Sequence, residues 1–332
     1  MDTSGSPVPQ ISLKRRLRRL RRAVQRSVGS ARHALIGGEG SVHDRLAAMP
    51  LMFAEKTYNT AHPAYEPELA NCYPGRIHHA ERPSHNALYA EIKKLAKRDK
   101  VPDRAWRRVL SDAMAEAATV PGFDQVMERK AYIENYLVDL AQRYRSHFVA
   151  GWVNLIDAQF LYWAVRHAKP RTIVQTGVSN GLSSAFLMLA LAKNGPEGRL
   201  HAIDLPHIFD PDDPLWTRIG GLHGVVIPEG KSSGWIVPDI YRDRFTVEAG
   251  DAKVLLPPLV DRLDRIDMFF HDSDHTYRHM MFEFEQVARK LASNSTIIAD
   301  DISWNTSLWD YADKRQVPSY NFRGSMGVAF LS

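Results

Sequence analysis

The pattern of apolar and polar positions divides the chain into a mainly helical part and a part in which strands and helices alternate. From about Asn86 to Ala168 the apolar residues recur at helical spacing, with long periodic segments at Phe123–Phe148 and Gly151–Ala168. The second of these segments is closed by Lys169-Pro170, because proline does not continue a helix.

After Pro170 short runs rich in β-branched residues alternate with helical stretches. The predicted strands are Thr172–Gln175, Leu200–Ile203, Phe245–Val247, Asp267–Phe270 and Thr296–Ala299, and the predicted helices are Leu182–Lys193, Lys253–Leu263, Tyr277–Leu291 and Thr306–Ala312. This alternation predicts βαβ units, hence a Rossmann-like, doubly wound, mostly parallel α/β sheet with an N-terminal helical extension. In such a sheet ligands bind at the carboxyl ends of the strands.

The positive charge of the chain is concentrated in its first forty residues. Met1 to Gly40 contains nine Lys and Arg residues against Asp2 and Glu39, a net charge of +7, whereas the whole chain carries +5 and the remainder therefore −2. A basic arm on a mildly acidic body argues against a nucleic-acid-binding domain. We predict three regions: a basic amphipathic arm at 1–40, an irregular and then helical region at 41–150, and a catalytic domain at 151–332.

The arm itself is open to several interpretations. Leu13, Leu17, Leu20, Val24 and Val28 recur at helical spacing between arginines, which indicates a short basic amphipathic helix. Such a segment can be a solvated tail, dock on the body, act as a targeting presequence, or lie on an anionic membrane surface. Since no apolar run approaches the roughly 20 residues that span a bilayer, we expect a cytoplasmic protein with peripheral contact at the inner membrane surface through the arm. A single cysteine, Cys72, excludes an intramolecular disulfide and a multi-cysteine zinc site.

Candidate cofactor-binding residues follow the first three predicted strands. The turn after the first strand contains Gly177 and Gly181, which permit a tight loop, and Asp204 ends the second strand, where an acid can accept both hydroxyls of a ribose. The third strand runs into a small-residue turn that could border an adenine. The full candidate set is Gln175, Thr176, Gly177, Ser179, Gly181, Ser183, Asp204, Gly250, Asp251, Ala252 and Asp272.

The glycine spacing separates two kinds of nucleotide ligand. A dinucleotide site prefers Gly-x-Gly-x-x-Gly, whose middle glycine admits a pyrophosphate, but Val178 and Ser179 stand at that place. A ligand with ribose and adenine and without phosphate fits better, and S-adenosylmethionine is one. The alternative for this motif by itself is an ordinary βα turn.

Three acids follow the fourth and fifth predicted strands. Because neighbouring parallel strands end at the same edge, we expect Asp272 to lie beside Asp300 and Asp301. Three adjacent carboxylates repel one another unless a divalent cation compensates them, and Mg²⁺ prefers such oxygen ligands. The alternative is that Asp301 caps the next helix and that Asp272 makes local turn bonds.

The region from about Gly151 to Ser332 resembles the class I methyltransferases, and among them the bacterial families related to cation-dependent O-methyltransferases of the macrolide-sugar and catechol types. In catechol-type enzymes a strand-end Asp is followed three residues later by a Lys base, and the next strand ends in Ala-Asp-Asn. Asp272 and Asp300 match the two metal-binding Asp positions, Asp301 replaces the Asn, and His275 replaces the Lys. Gln175 replaces the acidic residue at the head of the glycine loop.

The resemblance implies S-adenosylmethionine as cofactor, Mg²⁺ or another divalent cation at Asp272, Asp300 and Asp301, and catalysis by His275 with Asp272. The expected acceptor is a hydroxyl of a small molecule or a glycan. A phenol titrates near 10 and a histidine near 6.5, so a cation that acidifies the hydroxyl would help. Gly230–Pro238 lies in a long insertion of the kind that forms lids. Two alternatives stay open: a nicotinamide-dependent oxidoreductase, and a non-catalytic, membrane-associated protein.

Overall fold

A computed structural model of the chain describes residues 77–78, 84–98, 102–144, 148–206, 208 and 225–331. All of them fall within one compact unit, Ala61–Ser332. The predicted arm at 1–40 and Cys72 lie outside the described residues. Within these ranges, no helix combines the length and the apolar character needed to cross a membrane.

Four helices precede the main part of the sheet. They are α1 (Ala87–Arg98), α2 (Pro102–Ala117), α3 (Phe123–Tyr144) and α4 (Leu155–Ala168). Asn86 ties α1 to a distant strand: its Oδ1 accepts the backbone N–H of Leu88 at 3.0 Å, and its Nδ2 donates to the carbonyl oxygens of Asn294 and Ser295, both at 2.8 Å. The helices of the N-terminal half therefore share a core with the sheet.

The sheet contains eight strands among the described residues. The strands are β1 (Ile77–His78), β2 (Thr172–Thr176), β3 (Arg199–Asp204), β4 (Phe245–Ala249), β5 (Ile266–His271), β6 (Leu291–Ala299), β7 (Ser319–Phe322) and β8 (Met326–Phe330). Their spatial order is β1-β7-β8-β6-β5-β2-β3-β4; β4, β3, β2, β5 and β6 run parallel, and the pairs β6–β8, β8–β7 and β7–β1 are antiparallel. The interleaved helices are α5 (Leu182–Asn194), α6 (Ala252–Arg262), α7 (Tyr277–Val287) and α8 (Ser307–Arg315).

The doubly wound, mostly parallel sheet confirms the predicted fold class, and the predicted strands and helices after Pro170 all occur. Two differences have a physical reason. The helix predicted to reach Leu291 ends at Val287, because Leu291 already pairs with Ile266 in the sheet. Strands β7 and β8 were not predicted: every one of their residues is buried, so they lack the alternation that marks a half-exposed strand.

The strand order places a switch point at the centre of the sheet. From β2 the chain proceeds to β3 and β4 on one side and then returns to β5 and β6 on the other. Ligands of open α/β sheets bind in the crevice at such a point, outside the carboxyl ends of the strands. The predicted cofactor loop follows β2, and the predicted acids follow β5 and β6.

Candidate functional site

Asp204 lies against the loop that follows β2, where the sequence placed it. Its Oδ1 accepts the backbone N–H groups of Val178 at 2.8 Å and Ser179 at 3.2 Å. Its Oδ2 accepts a hydrogen bond from the hydroxyl of Ser233, and the residue is buried. The carboxylate therefore holds the loop in shape and also binds a hydroxyl group.

A segment that we call the strap, Ser232–Asp239, lies along the outside of this loop. Gly234 donates its N–H to the carbonyl of Ser179 at 2.8 Å, and Trp235 donates its indole N–H to Oδ1 of Asn180 at 2.8 Å. A Cβ on Gly181 would stand 2.5 Å from Cα of Gly234, so that only glycine fits there. Hydrogen bonds and close backbone packing therefore join the strap to the loop.

Gln175 and Ser183 lie beneath the loop. Gln175 is fully buried; its Nε2 donates to the carbonyl of Gly177 at 2.7 Å and to Oγ of Ser183 at 3.0 Å, and its Oε1 accepts from Ser184 at 2.8 Å. These side chains bond one another, which supports the turn from below. Ser179 is also anchored, since its hydroxyl donates to the carbonyl of Ala150 at 2.8 Å.

The turn after β4 adjoins Asp204 through its backbone. Gly250 donates its N–H to the carbonyl of Asp204 at 2.8 Å, which brings the Gly250–Ala252 turn beside the glycine loop. The carboxylate of Asp251 caps α6 by accepting the N–H of Lys253 at 2.7 Å. The side chain of Asp251 thus has a local structural function.

The ends of β5 and β6 bring a histidine between two acids. The Nε2 atom of His275 lies 3.9 Å from Oδ1 of Asp272 and 3.5 Å from Oδ2 of Asp301. Asp300 is buried at the end of β6 and donates its N–H to the carbonyl of His271 at 2.9 Å. The side chains of Asp272, His275 and Asp301 are each less than one-fifth exposed.

The alternative in which Asp301 caps the next helix is wrong. Helix α8 begins at Ser307, and its N-cap residue is Thr306, five residues after Asp301. Asp301 instead has a left-handed backbone, with φ of 51°. Its Oδ2 lies 3.5 Å from Nε2 of His275.

The three-acid metal site predicted from the sequence is not assembled as a ligand set. Across the described ranges, no group of three or more His, Cys, Asp and Glu side chains is arranged to hold a metal ion. Asp272 and Asp301 share the imidazole of His275, whereas Asp300 is buried at the strand end.

Sequence reasoning missed a buried polar network under the site. Glu283 of α7 is fully buried and binds His271 and His279, with Oε2 2.6 Å from Nδ1 of His271 and Oε1 2.8 Å from Nε2 of His279. Burial alone would raise the pKa of Glu283, but the charges and hydrogen bonds of the two histidines hold it far below its ordinary value. A signal was present: Glu283 interrupts the apolar face of α7 that includes Met280 and Phe284.

The tryptophans of the C-terminal half have different positions relative to His275. The ring centroid of Trp304 lies 5.6 Å from that of His275, and Trp304 is partly exposed. It lies at the rim, by which we mean the strand-end residues Asp272, His275, Asp300 and Asp301. Trp309 is buried in the core, Trp235 belongs to the strap, and Trp216 lies outside the described residues. Trp304 is therefore the tryptophan beside the candidate chemistry.

Similar proteins were found among solved structures and protein families, but no curated protein matches the chain. An O-methyltransferase from Bacillus cereus in complex with SAH is 16% identical, with 63% of this chain and 91% of that chain covered and a TM-score of 0.44. The O-methyltransferase TomG from Streptomyces achromogenes is 16% identical, with 55% and 82% covered and a TM-score of 0.37. A methyltransferase from Geobacter sulfurreducens is 18% identical, with 60% and 87% covered and a TM-score of 0.38.

The family comparison is specific to the part of the chain that carries the site. Residues 174–302 match a family model described as a methyltransferase domain. This range begins in β2 and includes the glycine loop, Asp204 and the ends of β5 and β6. The match favours the predicted methyltransferase over the nicotinamide-dependent oxidoreductase. The region from β2 to the residues just after β6 is therefore similar to a methyltransferase domain.

Proposed function

We propose that the enzyme methylates a hydroxyl oxygen of a small molecule or a sugar, with His275 as the proton acceptor. The observation that carries this proposal is the position of His275, whose Nε2 lies within 4 Å of the carboxylates of Asp272 and Asp301. Two carboxylates beside an imidazole stabilise the imidazolium that forms when the ring takes up a proton.

The cofactor would lie along the glycine loop, with its ribose on Asp204. A fit is supported by Ser233, whose hydroxyl already donates to Oδ2 of Asp204, as a ribose hydroxyl would. The Gly250 turn, bonded to the backbone of Asp204, would border the adenine. Asp272 joins this region to the rim, because its N–H donates to the carbonyl of Thr176 at 2.8 Å.

The proton balance of the transfer assigns one task to each side chain. S-adenosylmethionine supplies an electrophilic methyl group on a sulfonium. Nε2 of His275 would take the proton of the acceptor hydroxyl as the oxygen is methylated and S-adenosylhomocysteine leaves. Asp272 and Asp301 stabilise the resulting imidazolium, and Trp304, 5.6 Å from His275, gives the acceptor an aromatic wall.

A divalent cation is the second part of the proposal. Mg²⁺ is commonly bound through one or two carboxylates together with water and substrate oxygens, so Asp272 and Asp301 would suffice to hold it. When bound there, it would lower the pKa of the acceptor hydroxyl. The proposed role of His275 as proton acceptor does not depend on this cation.

The cofactor site is tested by calorimetric titration with S-adenosylhomocysteine. Asp204→Ala should weaken binding by about 1.5–3 kcal/mol, the range for hydrogen bonds to a charged group. Asp310→Ala removes an exposed acid of α8 and serves as the matched control, with unchanged affinity. Equal affinities of Asp204→Ala and the wild type would refute the cofactor placement.

The chemistry is tested by transfer of labelled methyl groups from S-adenosylmethionine to a panel of catechols and sugars. His275→Asn should lower turnover by about 10²–10⁴ and leave the affinity for S-adenosylhomocysteine unchanged. Full activity of this variant, or label found on nitrogen or carbon, would overturn the proposal. A chelator should abolish turnover but not cofactor binding, and full turnover in the chelator would refute the cation alone.

A further inference from the structure

Glu283 occupies a place beneath the site that the proposed chemistry does not use. It is fully buried and accepts four hydrogen bonds. Oε2 receives them from Thr176 at 2.7 Å and from His271 at 2.6 Å; Oε1 receives them from Ser273 at 2.8 Å and from His279 at 2.8 Å. One carboxylate thus joins β2, β5, the turn after β5 and α7.

A carboxylate at this position is costly for the fold. Met280, Phe284 and Val287, on the same face of α7, are all buried in the hydrophobic core, and an apolar residue would pack there without losing hydration. The desolvation cost is offset only by the donors that surround the charge. Three of the four donors belong to the ends of β2 and β5 or to the turn after β5, which carry the glycine loop and the rim.

The backbone is in unusually close contact at the same point. The N–H of Asp272 donates to the carbonyl of Thr176 at 2.8 Å, and a Cβ on Gly177 would stand 1.9 Å from the carbonyl oxygen of Asp272. The cofactor loop and the turn that leads to His275 therefore touch directly above Glu283. A shift of the cofactor loop would therefore displace the turn that leads to His275, and a shift of the turn would displace the loop.

We propose that Glu283 is a positioning residue that couples the cofactor loop to the rim by holding Thr176 and Ser273 on one carboxylate. Methyl transfer requires reacting atoms about 3–3.5 Å apart and in line, so the relation of the loop to Asp272 and His275 must be fixed. This inference rests on the cofactor placement proposed above.

The first test compares two glutamates of α7. Glu283→Gln keeps the volume but replaces an acceptor oxygen by an NH₂ group that faces donors, whereas Glu285→Gln removes an exposed charge that pairs with Lys314 and Arg315. Calorimetry is done well below the melting temperature of each variant. We expect Glu283→Gln to bind S-adenosylhomocysteine at least tenfold more weakly, and Glu285→Gln to stay within twofold of the wild type.

The second test uses a single donor and its conservative rescue. Ser273→Ala should weaken S-adenosylhomocysteine binding about three- to tenfold, Ser273→Thr should restore it to within twofold, and Ser273→Ala should add nothing in the Glu283→Gln background. A merely stabilising network would lower the melting temperature of Ser273→Ala but leave its affinity unchanged, and that result would overturn the proposal. If Glu283→Gln does not fold, the two Ser273 variants decide.

The two proposals fail in different ways. A wild-type protein that does not bind S-adenosylhomocysteine, or an Asp204→Ala variant that binds it equally well, refutes the cofactor placement. Binding that is lost in Asp204→Ala but retained in Glu283→Gln and Ser273→Ala refutes the positioning function of Glu283 alone.

Discussion

Gly177 and Gly181 are required by contacts between backbones. Each has a positive φ, 79° and 98°, and a Cβ on either would overlap protein atoms: the carbonyl of Asp272 for Gly177, and Cα of Gly234 for Gly181. From the sequence, these glycines were explained by the tight loop that they permit. The structure gives them a second function, which is to let the β5 turn and the strap close on the loop.

Gly177→Ala should destabilise the protein by at least about 3 kcal/mol, because the left-handed backbone and a severe clash act together. Gly230→Ala is the matched control: its φ is 73°, and nothing lies within 4 Å of the added Cβ. It should cost about 1 kcal/mol. Equal free energies of unfolding for the two variants in urea titrations would contradict the packing argument.

His279 should make the stability of the protein depend on pH. Burial by itself would lower the pKa of His279, but the hydrogen bond and charge of Glu283, aided by Asp274, raise it above its ordinary value. A raised pKa contributes stability that is complete below about 6.5, the ordinary value, and is lost as the pH rises through the folded-state pKa. The free energy of unfolding should therefore fall above pH 6.5.

The matched variant for this effect is His279→Gln, which keeps a donor for Glu283 and cannot titrate. Urea unfolding at intervals from pH 6 to pH 9 should show a steeper decline for the wild type than for His279→Gln. Parallel curves would show that the raised pKa of His279 is not linked to folding.

At the scale of elements, the strap is fixed from two sides. On one side it bonds the glycine loop through Gly234 and Trp235. On the other, Arg129 of α3 donates from Nη1 to the carbonyls of Trp235 at 2.8 Å and Val237 at 2.9 Å, and from Nη2 to Asp239 at 2.7 Å. Helix α3 thereby supports the segment whose Ser233 contacts Asp204.

Arg129→Ala should lower the free energy of unfolding by about 2–3 kcal/mol, since hydrogen bonds from a partly buried charged donor are lost. Hydrogen exchange should accelerate at Gly234, Ile236 and Val237, whose N–H groups are bonded in the wild type. Arg108→Ala removes a highly exposed arginine of α2 and should leave both measurements unchanged. Unaltered exchange in the strap of Arg129→Ala would show that the glycine loop alone fixes this segment.

At the scale of the whole molecule, the positive charge and the candidate active site belong to different parts of the chain. The first forty residues have a net charge of +7, and the acids of the candidate site belong to the body, which has a net charge of −2. The match to a methyltransferase domain also begins only at residue 174. We therefore propose that the arm serves attachment to an anionic membrane surface and that the body serves catalysis.

Deletion of Met1–Ser30 removes eight of the nine basic residues of the arm. Binding to vesicles that contain anionic lipid should fall strongly, because each basic residue near such a surface contributes about 1 kcal/mol. The affinity for S-adenosylhomocysteine and the melting temperature should stay the same. A truncated protein that melts much earlier would assign the arm to the fold instead.

The sequence by itself determined the alternation of strands and helices from Thr172 to Ala312, the loop after β2, and the positions of Asp204, Asp272 and Asp300 at strand ends. These are local or topological properties: periodicity defines an element, and the carboxyl ends of neighbouring parallel strands must meet. What Asp204 and Asp301 bind could not be predicted in the same way. Ser233 reaches Asp204 from a long insertion, and Oδ2 of Asp301 lies 3.5 Å from Nε2 of His275.

Only the tertiary structure decided which polar groups are buried together. Glu283 lies 107 residues from Thr176 in the chain, and no spacing rule links the two positions, yet their side chains are 2.7 Å apart. Strands β7 and β8 escaped prediction because burial on both faces removes the periodic signal. Local patterns record the exposure of single segments, whereas a shared carboxylate depends on how four segments pack around it.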